Sequence, residues 1–308
     1  MIAENKFLKI VALWKEDKKQ YVKRSTFAAY TLLIENHILP SFGEMALVEE
    51  QDVQTFVFRK LNEGLSHKTI KDILIVLKMI LRFGAKNQMT EYRQIDIKFP
   101  TERDKHSIDI LNRSHQKQIM EYIRLHFTFK NLGIYICLSA GMRIGEICAL
   151  TWDDLDVENG IIHVRKTIQR IYVIEEHRKY TEVILDTPKT KNSIREIPMT
   201  KNLLKMIRPI KKIVNGNFYV LTNEPKPTEP RTYRNYYKQF MQSLGLPLIK
   251  FHGLRHSFAT RCIESKCDYK TVSVLLGHSN ISTTLNLYVH PNLEQKKRCM
   301  EQMSRLLR

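Results

Sequence analysis

The sequence lacks the features that mark several large classes of protein. No apolar run reaches the roughly 18 residues that a membrane-spanning helix needs. The N-terminal stretch has neither the apolar core nor the small-residue cleavage site of a signal peptide. The 5 cysteines form no C-x-x-C pair, and their odd number leaves one without a mate. We therefore expect a protein without a membrane span, whose thiols stay reduced in the cytoplasm.

Acidic side chains are also in deficit. The chain has 50 Lys and Arg against 32 Asp and Glu, which gives a formal net charge of +18. Residues 106–308 carry 32 basic and 18 acidic side chains, whereas residues 1–105 carry 18 and 14. A charge of this size predicts a polyanionic partner, and nucleic acid is the usual one.

Residues 1–95 have the apolar periodicity of a small helical bundle. We expect four helices joined by short turns, one of them at residues 38–43, which contain Pro and Gly. Ser25 or Thr26 could cap the second helix, and Ser66 could cap the fourth. The next segment, residues 96–110, is charged and aperiodic, which is typical of a linker.

Residues 111–290 combine helices with strands. Ser114 is a candidate N-cap, and residues 132–141 are nearly all apolar, which predicts a buried helix. Between residues 160 and 199 the pattern changes to β-rich segments, from which we expect a small antiparallel sheet of about three strands. The fold class expected is mostly α with a small antiparallel β-sheet. Residues 217–222 could add a short strand.

Basic side chains follow the polar faces of several predicted helices. Some of them are candidates to contact phosphates, which position a protein on DNA without reading its base sequence. The alternative for each is a solvated surface charge. The candidates are Lys19, Lys23, Arg24, Lys68 and Lys71 in the first bundle and Arg231 and Arg234 in a basic, aromatic helix of the second part.

The chemically most distinctive stretch is residues 252–288. His252 and Arg255 are spaced to share one helix face, and Tyr288 follows a Gly-His pair by ten residues. A tyrosine hydroxyl among His and Arg suggests covalent attack on a phosphate, because His and Arg can donate to an oxyanion without a metal. A metal site at His252 and His256 is disfavoured, since no Glu follows His252 and no third ligand is near.

Two further groups lie upstream of this stretch. Arg143 falls at a turn before a hydrophobic helix, and Glu146 lies one helical turn later, where a carboxylate can orient the guanidinium. The alternative is an ordinary surface ion pair. Lys189 and Lys191 fall at the last turn of the predicted sheet, where lysines are usually solvated.

Four motifs, in their order and spacing, resemble the phage integrase family of tyrosine recombinases. They read GMRIGEICALTW, TPKTKNSIREIP, HGLRHSF and LLGHSNISTTLNLY. The resemblance covers residues 110–290, and residues 1–95 resemble the helical, SAM-like core-binding domain of the same proteins. It implies two domains that form a C-shaped clamp on DNA.

The resemblance also implies a role for individual residues. A 3′-phosphotyrosyl link would form and then be reversed by a 5′-hydroxyl, with neither metal nor other cofactor. Lys191 competes with Lys189, because the turn looks one residue longer than in some relatives. The implied catalytic residues are Arg143, Lys189, His252, Arg255, His278 and the nucleophile Tyr288, with Glu146 in support.

The same resemblance implies how such a protein assembles and works. We expect a homo-tetramer on double-stranded DNA with specific core sites, exchanging strands through a Holliday junction, in the cytoplasm of a bacterium or on a phage or mobile element. Accessory DNA-bending or directionality proteins could take part. Residues 291–308 form an apolar-faced helix that would dock on a neighbouring protomer or, alternatively, on its own domain.

Two other functions are compatible with the sequence. A type IB-like topoisomerase would use the same chemistry without exchanging strands, and a catalytically silent DNA-binding regulator would use only the fold. Many relatives also carry an arm-binding domain before the core-binding helices, which begin here almost at Met1. Either the protein acts on short inverted sites without one, or that domain was lost or removed.

Overall fold

The computed structural model describes residues 6–91, 94–101, 109–175, 178–188, 191–288 and 293–306. The chain divides into two compact units. The first comprises residues 1–105 together with 171–182, and the second comprises residues 106–170 and 183–308. In the part of the chain that is described, no helix is both long enough and apolar enough to cross a membrane.

The first unit is mainly helical, and its residues 171–175 and 178–182 belong to two strands. Its apolar stripe on α1, which includes Phe7, Val11 and Trp14, is buried as the periodicity predicted, and α1 packs against the longest helix, α5. The helices are α1 (Lys6–Tyr21), α2 (Arg24–Leu33), α3 (Leu39–Phe42), α4 (Glu50–Asn62) and α5 (His67–Lys86).

Two local predictions for this unit are wrong and one is confirmed. The expected turn at residues 38–43 is helical, because a π-helical turn at Ile34–Ile38 joins α2 to α3 and Pro40 lies in the first turn of α3, where no N–H is needed. Ser25 and Thr26 do not cap α2: the helix begins at Arg24, and Ser25 is buried inside its first turn. Ser66 does cap α5, since its hydroxyl accepts from the amide of Thr69 at 3.1 Å.

The second unit is built around α7, in which residues 131–140 are all buried, and α11 packs against it. Asn112, not Ser114, caps α6: its side chain accepts from the amide of His115 at 2.7 Å. The helices are α6 (Arg113–Leu125), α7 (Phe129–Ala140), α8 (Ile144–Ala149), α9 (Lys201–Lys211), α10 (Pro230–Ser243), α11 (Phe251–Glu264), α12 (Tyr269–Leu276), α13 (Ser282–Tyr288) and α14 (Leu293–Leu306).

The strands form two antiparallel sheets rather than the single one expected. One sheet has the order β1-β2-β5, and β3 pairs with β4 in a separate ribbon. Residues 217–222 make only isolated bridges at Tyr219 and are not a strand. The strands are β1 (Leu155–Asp156), β2 (Ile161–Val164), β3 (Thr167–Glu175), β4 (Arg178–Asp186) and β5 (Arg195–Pro198). The chain is thus mostly helical with small antiparallel sheets, as the sequence predicted.

Candidate active site

Arg143 is held at the turn between α7 and α8. Its backbone amide donates to Oε2 of Glu146 at 2.9 Å, and its Nη1 donates to Oε1 at 2.8 Å. Its Nη2 donates to the carbonyl of Gly277 at 3.1 Å. The side chain remains 34% exposed. The guanidinium is therefore fixed on one side and accessible on the other.

Glu146 is 2% exposed and has a second arginine partner, Arg195. Nη1 of Arg195 donates to Oε1 at 3.1 Å and Nη2 donates to Oε2 at 2.9 Å. Burial alone would raise the pKa of Glu146, but the hydrogen bonds and charge of Arg195, followed by the charge of Arg143, hold it below its ordinary value.

Arg195 is the site residue that the sequence reasoning missed. It lies in the motif TPKTKNSIREIP, in which the sequence predicts a role only for the lysines. In β5 it has the same buried phase as Ile197. An arginine at an inward position of a strand needs a buried anion, and that mismatch is the feature that could have revealed it.

Arg255 lies on α11 and is 1% exposed. Its Nη1 donates to the carbonyl of Gly141 at 2.7 Å, and its Nη2 donates to the carbonyl of Leu276 at 2.6 Å. It thus joins the C-terminal ends of α7 and α12. His252 also lies on α11, one turn before Arg255.

His252 and His278 are both neutral at pH 7. Desolvation by the surrounding protein, followed by His256 and the charges of Arg255 and Arg143, lowers the pKa of His252 to about 4. Desolvation, followed by the charges of Arg255 and Arg143, also lowers the pKa of His278 to about 4. The His256 ring packs edge-on against His252 with centroids 4.6 Å apart, in agreement with a packing role.

His278 follows the left-handed Gly277 that ends α12. Its Nδ1 lies 2.8 Å from Oγ1 of Thr284. This histidine and Arg143 line an open cleft of about 410 Å³. Thr167, Gln169, Pro188 and Thr283 also line it. Four of the predicted residues, Arg143, His252, Arg255 and His278, therefore share one electrostatic environment.

The remaining catalytic candidates are only partly described. Lys189 lies outside the described residues. The backbone of Lys191 begins a 3₁₀ turn, and its side chain lies outside them. Tyr288 is the last residue of α13, and its side chain is likewise outside. The helix α13 itself packs against α11 and α12, the helices on or beside which the histidines lie.

The predicted phosphate contacts are mostly exposed. Arg231 and Arg234 are exposed on α10, and Arg234 lines a groove of about 470 Å³ together with Lys238, Lys250 and His252. In the first unit, Lys19, Lys68 and Lys71 are exposed and Lys23 is half-buried. Arg24 instead forms an ion pair with Glu182.

Where the chain is described, no group of three or more His, Cys, Asp and Glu side chains could hold a metal ion. The thiols of Cys137, Cys148, Cys262 and Cys267 are free.

Sequence comparison gives two matches to family profiles. Residues 109–295 match the phage integrase family, and residues 6–60 match the N-terminal SAM-like domain of phage integrases. A XerC-like tyrosine recombinase of Caldanaerobacter subterraneus subsp. tengcongensis is 31% identical over 92% of this chain and 78% of its own length. The ICEBs1 integrase of Bacillus subtilis is 24% identical over 89% of this chain and 76% of its own length.

Solved structures share the fold. The Tn1549 transposon integrase in complex with transposon right end DNA superposes with a TM-score of 0.77 at 23% identity, covering 97% of this chain and 99% of that one. A lambda integrase tetramer bound to a Holliday junction gives a TM-score of 0.61 at 16% identity, covering 92% of this chain and 78% of that one. From the family match over more than half of the chain and the 31% identical relative, this chain belongs to the phage integrase family of tyrosine recombinases.

Proposed function

We propose that Tyr288 of this recombinase attacks a DNA phosphate and forms a 3′-phosphotyrosyl link at the cleft between Arg143 and His278. The observation that carries the proposal is the convergence of Arg143, Arg255, His252 and His278, with α13 packed against α11 and α12.

The chemical step exchanges one P–O bond for another. The Tyr288 oxygen bonds to phosphorus while the bond from phosphorus to the 5′-oxygen breaks. Free tyrosine has a pKa near 10, so it must lose its proton to a base. His252 can accept that proton at pH 7 because its pKa of about 4 leaves the ring neutral.

The leaving 5′-oxygen needs a proton in return. We assign this donation to Lys189, with Lys191 as the competing candidate, on the family resemblance. The phosphotyrosyl ester conserves the bond energy, so a second 5′-hydroxyl can reverse the step. Neither ATP nor a metal or other cofactor is then required.

In the transition state, negative charge develops on the non-bridging phosphate oxygens, and hydrogen-bond donors of the cleft can stabilise it. The exposed part of the Arg143 guanidinium faces the cleft. When the hydroxyl of Thr284 donates to Nδ1 of His278, the neutral ring carries its proton on Nε2, which is then a donor. Arg255 adds its positive charge from a buried position.

We further propose that the active form is a homo-tetramer on double-stranded DNA with specific core sites, formed in the cytoplasm of the host of a mobile element. Residues 1–95 are the core-binding domain, 96–110 the linker and 111–290 the catalytic domain. The exposed Arg231 and Arg234, and Lys19, Lys23, Arg24, Lys68 and Lys71, are its candidate phosphate contacts.

The helix α14 supports docking between protomers. Its Met300 and Met303 are 60% and 44% exposed, so their apolar surface is available to pack against a neighbouring protomer. Docking on a neighbouring protomer is favoured over docking in cis by the family resemblance. Accessory bending or directionality proteins would act on the same assembly.

A nicked suicide duplex, taken from DNA that flanks the gene, tests the proposal. Release of the short strand traps the covalent intermediate, and we expect a protein–DNA adduct that survives SDS. A silent regulator would bind and give no adduct. Incubation with a two-site plasmid separates the topoisomerase reading: relaxation with no recombinant product would favour it, whereas recombinants support the proposal.

A further inference from the structure

Arg195 is buried beneath the cleft and contacts two of the elements that form it, α8 and α12. On one side it grips Glu146 with both Nη atoms, at 3.1 and 2.9 Å. On the other side its Nε donates to the carbonyl of Leu275, in the last turn of α12, at 2.7 Å. Nη1 also donates to the carbonyl of Ser193 at 3.0 Å. One side chain thus ties β5 to the helix that follows Arg143 and to the helix that precedes His278.

The carboxylate of Glu146 is saturated by these contacts. Each of its oxygens accepts one hydrogen bond from Arg143 and one from Arg195. Removal of Arg195 would leave a buried carboxylate with half of its donors, and such a group either shifts or takes up a proton. In both cases the anchor of Arg143 is lost.

The charge balance gives Arg195 a second effect. Arg143 and Glu146 alone would form a neutral pair, whose field at a phosphate in the cleft is weak. With Arg195 the three side chains carry a net charge of +1, because Glu146 is shared between two arginines. Arg143 can therefore be oriented by a carboxylate without losing its attraction for an anion.

Contact with Gly277 transmits the position of Arg195 to the loop that holds His278. A Cβ added at Gly277 would lie 3.1 Å from Cδ and 3.2 Å from Nη1 of Arg195. The carbonyl of Gly277 accepts from Nη2 of Arg143 at 3.1 Å. Arg195 and Arg143 thus both lie against Gly277.

We infer that Arg195 is a positioning residue for recombination, which sets the place and the effective charge of Arg143 through Glu146 and Gly277. The inference rests on the proposed function. A lysine cannot replace it, because the contacts require a planar fork of several N–H groups directed at separate acceptors.

The test compares two suicide duplexes in single-turnover adduct formation. One has the natural phosphodiester at the mapped cleavage position. In the other, a methylphosphonate replaces one non-bridging oxygen by a methyl group, so that the phosphorus centre is neutral and needs less help from Arg143. The readout is the rate on the phosphodiester divided by the rate on the methylphosphonate. The proteins are the wild type, Arg143→Ala, Arg195→Met, Arg195→Lys and the control Arg113→Met, which removes a surface arginine paired with Glu264.

We expect this ratio to fall for Arg195→Met and for Arg195→Lys by about 10- to 100-fold, the range typical of losing a residue that orients a metal ligand and used here for one that orients Arg143. It should fall in the same direction for Arg143→Ala and stay at the wild-type value for Arg113→Met. Thermal unfolding identifies the folded variants, and Arg195→Lys decides if Arg195→Met does not fold.

A wild-type ratio in a folded Arg195 variant would overturn the inference. So would equal slowing on both duplexes, since a merely structural role lowers the two rates together. If the wild-type protein forms no adduct on either duplex, the proposed function fails and the inference with it, an outcome visible before any variant is compared.

Discussion

His252 and His278 are neutral imidazoles because partial desolvation and the nearby charges of Arg143 and Arg255 lower the pKa of each ring to about 4. A histidine with the ordinary pKa near 6.5 would be half protonated close to neutrality. Here the two rings become half protonated only near pH 4. A base that is already neutral does not gain from a further rise in pH.

We therefore predict that the second-order rate constant for adduct formation does not bend between pH 5.5 and 7. Measurement at limiting duplex concentration reports the pKa values of the free enzyme. An inflection near 6.5 that disappears in His252→Gln would show that His252 keeps an ordinary pKa and would contradict this account.

Glu146 lies buried between two arginines, so its charge also stabilises the fold. We predict that Glu146→Gln lowers the free energy of unfolding by about 3 kcal/mol, because it leaves Arg143 and the buried Arg195 without a counter-charge. Urea unfolding measures the change. Glu196→Gln, on the exposed face of β5, is the matched control and should cost less than about 1 kcal/mol. Equal losses would mean that the shared carboxylate adds no stability.

Motifs in the sequence predicted Arg143, Glu146, His252, Arg255 and His278, and the structure places these five close together. The sequence did not predict a role for Arg195, because its partner Glu146 lies 49 residues away. Neither strand register nor side-chain orientation is visible in the sequence around SIREIP. The sequence also could not predict that Arg255 is buried and donates to two backbone carbonyl groups.

The connection between α7 and α8 depends on Gly141. Its φ is +63°, and a Cβ there would come 2.4 Å from Cδ1 of Phe258. Gly245 also has φ +63° but has nothing within 4 Å of such an atom. An alanine at either position would have the same left-handed backbone strain, but only at Gly141 would its Cβ also clash with a neighbouring side chain.

We predict that Gly245→Ala costs about 1 kcal/mol of unfolding free energy, the strain of a left-handed alanine. Gly141→Ala should cost at least 1 kcal/mol more, since it must also displace Phe258. It should slow adduct formation as well, because the Gly141 carbonyl accepts from Arg255. Indistinguishable stabilities and rates for the two variants would refute the role given to this turn.

At the same scale, the sequence predicted helices better than their connections. Gly64, Ser66 and Gly141 mark helix ends correctly, because their conformations are local properties. The turn expected at residues 38–43 is helical, since Pro fits the first turn of a helix as well as it fits a turn. The division of strands into two sheets depends on pairing between distant segments, which no local pattern encodes.

Across the whole molecule, the net charge of +18 favours binding to a polyanion such as DNA. Each phosphate contact releases counterions, so the logarithm of the binding constant falls linearly with the logarithm of the salt concentration. We predict that Arg234→Ala reduces the magnitude of this slope by about 1. Arg113→Ala, which breaks a surface ion pair with Glu264, should leave the slope unchanged. Fluorescence anisotropy over a salt series measures both, and equal slopes for Arg234→Ala and the wild type would remove Arg234 from the interface.

The proposed activity depends on one covalent bond. The most direct measurement is SDS-resistant adduct formation on the nicked suicide duplex by Tyr288→Phe, with Tyr269→Phe as the matched control because Tyr269 is exposed at the start of α12. We predict no adduct from Tyr288→Phe and a wild-type yield from Tyr269→Phe, with the wild-type adduct mapping to the peptide that contains Tyr288. An adduct that persists in Tyr288→Phe would contradict the assignment of the nucleophile.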